Sequence, residues 1–380
     1  MKIVVACGGT GGHTFPGLAV AEELVKRGHD VTVWTSGRSI ESSVMQRWTG
    51  KVFATGAKQL SAKNVFAILR SIFRCRAEMK REKPAALIAM GSYSSLPPVL
   101  AARSCGVKVF LHEANTVPGK AVEFLSRFAD TVAISFEMTA RYLKGVKTVV
   151  TGLPVRADIA SGTRFDFIPR EAFTVFVTGG SQGAHRVNEL MRDALVLLHK
   201  DLTSKPSILG TPGQPSTPST PSTSGTPGQP CTPSLYVIHQ TGAADEASVQ
   251  AAYAAAAIPS RVHAFEREMA NAFASADLVV ARAGASTCFE LAACGKPVLF
   301  IPLPSAMRDH QHYNAEAFAA KGAADEGFQD KLTPRSLARY LNNIINDRMR
   351  LEKMSEKMRA LSTPDAARRV ADLIVSDMVG

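Results

Sequence analysis

The stretch KIVVACGGTGGH, residues 2–13, decides the fold. A short apolar run rich in β-branched residues ends directly at a glycine-rich loop, and a helix-like segment follows. This is the pattern of a parallel strand, a tight turn and a covering helix. The stretch FTVFVTGGSQGAH, residues 173–185, is built in the same way. The two copies predict an α/β chain with two Rossmann-like parallel-sheet domains that face a central cleft.

Alternating strand-like and helix-like segments continue this pattern along both halves of the chain. The strands predicted in the first half are Lys2–Cys7, Asp30–Thr35, Ala85–Ala89, Val107–His112, Thr131–Ile134 and Lys147–Val150. Those predicted in the second half are Phe173–Thr178, Leu235–His239, Arg261–Phe265, Leu278–Ala281 and Pro297–Ile301. Between them, the Gly and Pro of Gly152–Arg156 end a strand and indicate a connection between domains.

That connection divides the chain into an N-terminal domain at 1–152, a C-terminal domain at 153–364 and a last segment at 365–380. The last segment has apolar residues at helical spacing, and we expect it to fold back onto the N-terminal domain. Residues 203–234 fit neither domain, because Ser, Thr, Pro and Gly dominate them and TPGQP occurs twice. Such a composition buries little apolar surface, so we predict a disordered insertion in a surface loop.

The composition, with 46% hydrophobic and 20% charged residues, is that of a globular protein. No apolar run approaches the ~20 residues that cross a bilayer. The run Ile3–Cys7 is too short for a signal peptide, so a cytosolic location is the expectation. The six cysteines include no Cys-x-x-Cys pair, which argues against a zinc site and a disulfide framework.

The net charge of +11 lies entirely in the first half of the chain. Residues 1–152 hold 21 basic and 10 acidic residues, and the remainder holds 23 of each. Within that half, Asn64–Lys83 combines apolar side chains with basic ones, among them Arg70, Arg74, Arg76, Lys80 and Arg81, which favours a surface resting on anionic lipid. A helix that packs in the core and exposes its arginines explains the apolar residues equally well. Nucleic acid is not predicted as a partner, because no binding motif or aromatic cluster accompanies the charge.

Polar and glycine-rich clusters follow most of the predicted strands, where ligands bind in open α/β sheets. The clusters are Gly8–His13, Gly91–Ser95, His112–Asn115, Gly179–Ala184, Phe265–Glu266, Arg282–Thr287 and Asp309–Gln311. Any one of them could merely make a tight turn. Seven at the same edge of two sheets indicate a ligand cleft between the domains.

The two glycine loops suit phosphate, because a backbone without Cβ approaches an anion closely and the N–H groups of the next helix point at it. Neither loop is a P-loop, since Gly-Lys-Ser/Thr does not follow. Neither matches Gly-x-Gly-x-x-Gly, and Thr35–Gly37 lacks the acidic residue that holds an adenosine ribose. Arg38 leaves an NADP site as a minor alternative. The chain has no Asp-x-Asp, which disfavours a metal-dependent nucleotide-sugar enzyme.

Two side chains are candidates for chemistry. Glu290 lies one turn into the helix that begins near Ser286 and Thr287, where a carboxylate accepts both hydroxyls of a ribose. It could equally serve only to complement the helix dipole. His13 stands at the helix start after the first glycine loop, where the dipole favours the neutral base that takes a proton from a sugar hydroxyl. A histidine that only caps the turn or binds phosphate is the alternative.

Four motifs together resemble the MurG family of bacterial N-acetylglucosaminyltransferases. They are GGTGGH with Phe15–Gly17, His112-Glu113-x-Asn115, GGSQGA at 179–184, and Asp309–Gln311 with Asn314-Ala315. The resemblance runs nearly end to end apart from 203–234. It implies the glycosyltransferase-B fold, no cofactor and no metal for the chemistry. It also implies transfer of GlcNAc from UDP-GlcNAc to the C4 hydroxyl of lipid-linked MurNAc-pentapeptide (lipid I to lipid II), with inversion, at the cytoplasmic face of the inner membrane.

The resemblance also implies roles for individual residues. At the donor sugar and diphosphate it places Thr10, Gly11, Gly12 and Asn115, and on the phosphate side Arg156 and Ser181. Glu266 would present backbone groups to uracil, and Gln311 and His312 would contact the GlcNAc hydroxyls. Phosphate and ribose would be held by Ala285, Ser286, Thr287, Cys288, Phe289 and Glu290. The acceptor diphosphate would lie at Gly9, Gly91, Ser92, Tyr93 and Ser94, and His13 is the family's usual candidate base.

Three positions depart from the family's pattern: Leu153 replaces an Asn, Glu266 an apolar residue, and Ser92 a Gly. Two other functions stay open on the same fold. A UDP-GlcNAc 2-epimerase needs acid and base groups at one sugar and no lipid surface, so Asn64–Lys83 favours the transferase. A scaffold that only binds nucleotide is disfavoured by the presence of Glu290, His13 and Gln311.

Overall fold

The computed structural model describes residues 1–9, 11–37, 45, 48–59, 61–180, 183–204 and 234–379. Its strands are β1 Lys2–Ala6, β2 Asp30–Thr35, β3 Lys51–Ala54, β4 Ala86–Ala89, β5 Lys108–Glu113, β6 Thr131–Ile134, β7 Lys147–Val150, β8 Phe173–Thr178, β9 Leu235–Gln240, β10 Ser260–His263, β11 Leu278–Ala281, β12 Val298–Phe300 and β13 Asp325–Glu326.

The α-helices in the same ranges are α1 Gly11–Lys26, α2 Val65–Glu82, α3 Leu96–Ser104, α4 Lys120–Leu125, α5 His185–Ser204, α6 Glu246–Ala255, α7 Met269–Ser275, α8 Ala285–Cys294, α9 His310–Ala319, α10 Pro334–Ile345, α11 Arg348–Ala360 and α12 Ala366–Val379.

The strands form two parallel sheets. The first has the order β3-β2-β1-β4-β5-β6-β7 and the second the order β10-β9-β8-β11-β12-β13. In each sheet the strand that precedes a glycine loop, β1 or β8, lies inside the sheet between two partners. The order reverses beside that strand, at the point where open α/β sheets bind their ligands. The predicted fold, two parallel α/β sheets, is confirmed.

Each sheet is covered on both faces, as strands with two apolar faces require. On β1, Ile3 and Val5 pack in the cluster that includes α1, while Val4 and Ala6 pack in the cluster that includes α2 and α3. The six residues of β8 are all buried. Each fully buried Val or Ile contributes about 1.5–3 kcal/mol to the free energy of unfolding. These central strands are therefore a stable support for the loops at their ends.

Helix α12 packs against the first domain, although it is the end of the chain. Val370, Ala371 and Ile374 share a buried cluster with β1 and α1. Arg27, directly after α1, pairs with Asp372 at 2.7 Å. The chain therefore crosses from one domain to the other twice, once after β7 and once before α12.

Helix α2 exposes much of its apolar surface. Phe66 is 87% and Phe73 69% exposed, and Leu69 is also exposed, while Ile68, Cys75 and Met79 face the core. One face of the helix thus packs on the core, and its outer face carries aromatic as well as basic side chains. No helix in the described residues is both long and apolar enough to span a bilayer.

Five predicted strands have the structure's bounds, and the others differ by one to three residues. Two short strands, β3 and β13, were missed because Lys51–Ala54 and Asp325–Glu326 are edge strands of four and two residues, and those residues are exposed or half-buried. The strand predicted at Arg261–Phe265 ends at His263, and Phe265 belongs to the following turn. The predicted insertion at 203–234 lies almost wholly outside the described residues.

Candidate functional site

The first glycine loop packs against the loop that follows β4. Gly9 has φ +120°, and a Cβ there would lie 2.8 Å from the Ser92 hydroxyl oxygen. Ser94 donates a hydrogen bond from its hydroxyl to the Gly8 carbonyl at 2.6 Å. The loops after neighbouring strands β1 and β4 therefore form one surface, which contains the predicted acceptor residues. Thr10 lies outside the described residues.

His13 is held against the end of β4. Its Nδ1 lies 2.8 Å from the Met90 carbonyl oxygen, and since a carbonyl only accepts, Nδ1 carries the proton. In the neutral ring the lone pair is then on Nε2, the nitrogen available to take a proton. Burial lowers the pKa of His13 and outweighs the Met90 hydrogen bond, which favours the charged form. The next residue, Gly91, has φ +85°, in the left-handed region that favours glycine.

His112 and Glu113 end strand β5 beneath the site. Burial lowers the pKa of His112 to about 4, and its Nε2 donates to the Gly152 carbonyl at 3.1 Å. Burial raises the pKa of Glu113 to about 7. The Glu113 carboxyl accepts from the Asn115 backbone at 2.9 Å, the Asn115 side chain at 3.2 Å and the Gly119 backbone at 3.0 Å. This carboxyl therefore fixes the loop that carries Asn115.

In the second domain, Gln240 joins two parts of the predicted donor site, and the sequence interpretation missed it. Its side chain donates to the Gly180 carbonyl at 2.8 Å and accepts from the Glu266 backbone at 3.3 Å. Gln240 therefore fixes the position of the glycine loop relative to the Glu266 turn. Its position as the last residue of β9 was a signal, because carboxyl ends of strands meet the cleft. Ser181 lies outside the described residues.

The Glu266 side chain finds its hydrogen-bond donors inside the protein. Arg261 donates to both carboxylate oxygens at 2.9 and 3.2 Å, and the Glu268 backbone donates at 2.8 Å. Although burial opposes ionisation, these donors hold the pKa of Glu266 below its usual value. The carboxylate therefore supports its own turn instead of pointing at a ligand.

Helix α8 faces the first domain at its N-terminus. Ser286 Oγ lies 3.5 Å from the Gly12 carbonyl oxygen, so the start of α8 meets the start of α1. Glu290 pairs through Oε1 with the Arg156 guanidinium at 3.1 Å, and that guanidinium lies 5.0 Å from the Phe15 ring centre. Burial raises the pKa of Glu290 despite this cation. Unlike Ser286, Cys288 and Phe289 are buried in the core, so only their backbone can reach a ligand.

Helix α9 carries the predicted sugar contacts. Gln311 accepts from the Leu303 backbone at 3.0 Å. His312 Nδ1 lies 2.8 Å from a Glu326 oxygen, and this partner raises the pKa of His312 even though burial opposes it. One turn later, Asn314 is fully buried and contacts both domains. Near the start of the helix, Arg308 pairs with Glu123 of the first domain at 2.6 Å.

Residues from both domains thus form a single cleft. The structure brings together His13, Gly12, Ser286 and Asn115 with Asn314, while Arg156 and Glu290 meet beside Phe15. The polar groups that line it are suited to an anionic, hydroxyl-rich ligand, and two parallel sheets with their carboxyl edges at one cleft define the class of two-domain sugar-nucleotide enzymes.

Comparison with known proteins gives the particular family. Residues 3–134 match the glycosyltransferase family 28 N-terminal domain, and residues 174–370 match the glycosyltransferase family 28 C-terminal domain. The chain belongs to glycosyltransferase family 28.

Curated relatives match over almost the whole chain. One from Geobacter metallireducens is 34% identical over 98% of this chain and 97% of its own length, and one from Myxococcus xanthus is 34% identical over 100% and 94%. Both are named UDP-N-acetylglucosamine–N-acetylmuramyl-(pentapeptide) pyrophosphoryl-undecaprenol N-acetylglucosamine transferase.

Solved structures agree with these relatives. The crystal structure of Acinetobacter baumannii MurG is 31% identical, with a TM-score of 0.74 over 99% of both chains. A UDP-GlcNAc 2-epimerase from Neisseria meningitidis has a TM-score of 0.69 over 99% of this chain and 100% of its own, but at 13% identity it shows only the shared fold.

The Ser92 backbone generates a prediction about stability. Its φ of +69° and ψ of 165° lie in a region that only glycine occupies without strain. We expect Ser92→Gly to raise the free energy of unfolding by about 1 kcal/mol. The substitution releases the backbone strain, and the extra conformational entropy of glycine in the unfolded chain offsets part of that gain. Urea denaturation measures the change.

Ser95→Gly is the matched control. Ser95 lies three residues further on at φ −74°, which suits any residue, and its hydroxyl donates to the Gly91 carbonyl. That variant should lower the free energy of unfolding. If both substitutions destabilise the protein, Ser92 is not strained.

Proposed function

We propose that this protein transfers GlcNAc from UDP-GlcNAc to the C4 hydroxyl of lipid-linked MurNAc-pentapeptide, converting lipid I to lipid II in peptidoglycan synthesis. The observation that carries the proposal is the meeting of the two domains at the site. The N-terminus of α8 reaches the first glycine loop through Ser286 and Gly12, with His13 next in that loop. The near full-length relatives supply the substrates, since their names state both GlcNAc transfer and the lipid-linked muramyl acceptor.

The donor lies in the second domain in this proposal. The Glu266 turn receives uracil, and the N-terminus of α8, ten residues long, stabilises the diphosphate through its free N–H groups. Glu290 accepts the ribose hydroxyls. In the structure that carboxyl contacts Arg156 through Oε1. Hydroxyl donors on the carboxylate would offset its burial and favour the charged form.

The acceptor hydroxyl is deprotonated by His13 in this proposal. The C4 oxygen attacks the anomeric carbon from the face opposite UDP, and its proton passes to His13 Nε2. The bond from the anomeric carbon to the diphosphate oxygen breaks, UDP leaves with the electron pair, and the configuration inverts. The Met90 carbonyl supports this role, because it keeps the proton on Nδ1 and leaves Nε2 as the base.

The first domain faces the membrane in this proposal, so the enzyme is peripheral at the cytoplasmic face of the inner membrane. The basic excess of residues 1–152 and the exposed Phe66 and Phe73 of α2 support it. Basic side chains add about 1 kcal/mol each near an anionic surface, and aromatic side chains enter the interface. We likewise propose the domain division at residue 152, with residues 365–380 belonging structurally to the first domain.

The direct test of the function measures UDP release from UDP-GlcNAc with a soluble lipid I analogue. We expect release that depends on the acceptor and a product heavier by one GlcNAc. An epimerase would instead convert UDP-GlcNAc to its C2 epimer without any acceptor. The absence of acceptor-dependent UDP release would exclude the transferase.

The pH dependence tests the base. Because His13 must be unprotonated and its pKa is below the ordinary 6.5, kcat/KM should rise through a pKa below 6.5 and then level off. His13→Asn keeps a donor for Met90 but removes Nε2, so turnover should fall by about 10²–10⁴ and the acid limb should vanish. His29→Asn, in the turn between α1 and β2, is the control and should leave the profile unchanged. A His13→Asn enzyme with near-normal turnover and the same limb would show that another group is the base.

Vesicle binding tests the membrane surface. Phe66→Ser combined with Phe73→Ser should weaken binding to vesicles of phosphatidylethanolamine and phosphatidylglycerol by at least about tenfold, since each buried Phe contributes about 1.5–3 kcal/mol. Met349→Ser is the control, because Met349 is 67% exposed on α11 of the second domain. Added salt should weaken the binding of all forms. Equal binding by the double variant and the control would rule out α2 as the contact surface.

A further inference from the structure

We infer that Asn314 is a positioning residue for the donor sugar: it acts through Asn115 and holds three segments of the donor site in one arrangement. The inference rests on the proposed function and assigns a role to a residue that contacts no substrate in it. Asn314 is completely buried on α9, one turn after Gln311 and His312.

Each polar atom of the Asn314 side chain has a defined partner. Oδ1 accepts from the Thr116 backbone at 2.9 Å. Nδ2 donates to the Asn115 side-chain oxygen at 3.1 Å and to the Ala283 carbonyl at 3.1 Å. The Thr116 and Asn115 contacts cross from the second domain to the first, while the Ala283 contact holds the loop that leads into α8.

These bonds leave the Asn115 amide one orientation. Its oxygen accepts from Asn314, so its nitrogen must point the other way, where it donates to Glu113 at 3.2 Å. A flipped amide would place two NH₂ groups against each other and an oxygen against the Glu113 carboxyl. Asn314 therefore fixes which face of Asn115 is presented to the donor.

The geometry also explains why the amide is needed. The three partners require two hydrogen-bond donors and one acceptor from a single short side chain. Among the ordinary residues of this size, Asn supplies them. Leucine has a similar volume and supplies none, whereas aspartate retains the acceptor for Thr116 but has no donor for Asn115 or Ala283.

A double-mutant cycle tests the inference with UDP-GlcNAc and a lipid I analogue. We expect Asn314→Leu and Asn115→Ala each to lower kcat/KM for UDP-GlcNAc by about tenfold, as the loss of a positioned hydrogen-bonding group in a buried site does. The combined variant should be no worse than the poorer single variant, because both changes remove the same positioned group. A merely structural Asn314 would give a product of the two effects, about a hundredfold. That result would overturn the inference.

Glu123→Gln is the matched control. Glu123 pairs with Arg308 near the start of α9 and so also crosses between domains, but it touches none of the three donor segments. It should change kcat/KM by less than about twofold, as exposed pairs do. An equal loss in Glu123→Gln and Asn314→Leu would mean that any weakening of the domain contact has this effect, and would also overturn the inference.

Two further measurements keep the outcomes separate. If Asn314→Leu fails to fold, Asn314→Ser replaces it in the cycle, because a water in the vacated space can satisfy Thr116 and Ala283. Calorimetric titration of the wild-type protein with UDP-GlcNAc separates the two levels of the proposal. A wild type that neither binds the donor nor releases UDP would refute the proposed function, whereas an active wild type with an additive cycle would refute only the role of Asn314.

Discussion

The close approach of neighbouring chain segments at two glycines, Gly17 and Gly183, is the constraint on which the cleft depends. A Cβ on Gly17 would collide with the Cys7 side chain, so α1 lies directly on the end of β1. In the second domain, a Cβ on Gly183 would collide with the Thr241 backbone, which seats the second loop against the end of β9. Because α1 is seated so closely, His13 at its first turn reaches the Met90 carbonyl at the end of the neighbouring strand.

Two buried glutamates, Glu266 and Glu113, and the half-buried Glu290 show how the cleft distributes charge. Glu266 has a two-point contact with Arg261, and its pKa is lowered. Glu113 is surrounded by N–H donors, and its pKa is raised to about 7 by burial. Glu290 pairs with Arg156, yet burial still raises its pKa. Glu266 and Glu113 each accept three hydrogen bonds from the protein and hold their own loops in place. Glu290 accepts from Arg156, and hydroxyl donors of a ligand would stabilise its charged form.

The sequence was sufficient for the fold, because strand periodicity and glycine loops are local signals. The roles of the site residues stay predictions. The sequence was insufficient for the contacts between side chains. Thr116 and Asn314 are 198 positions apart, and Arg156 and Glu290 are 134 apart. Those pairs depend on how two complete domains dock, and no local sequence pattern encodes that docking. The edge strand β13 was missed because its local signal is weak: two half-buried acidic residues have little β-propensity.

The two chain crossings limit how the cleft can open. A Cβ on Gly152, which follows β7 at φ +78°, would collide with the Thr363 side chain, just before α12. Both connections therefore pass through one place, and we expect any separation of the domains to be a rotation about it. Rotation would break the contacts of Ser286 with Gly12 and of Asn314 with Asn115 together, because they join the same two bodies. If the proposed donor site is right, closure would form its diphosphate end and its sugar end in a single step. Water would then be excluded from the anomeric carbon when both substrates are in place.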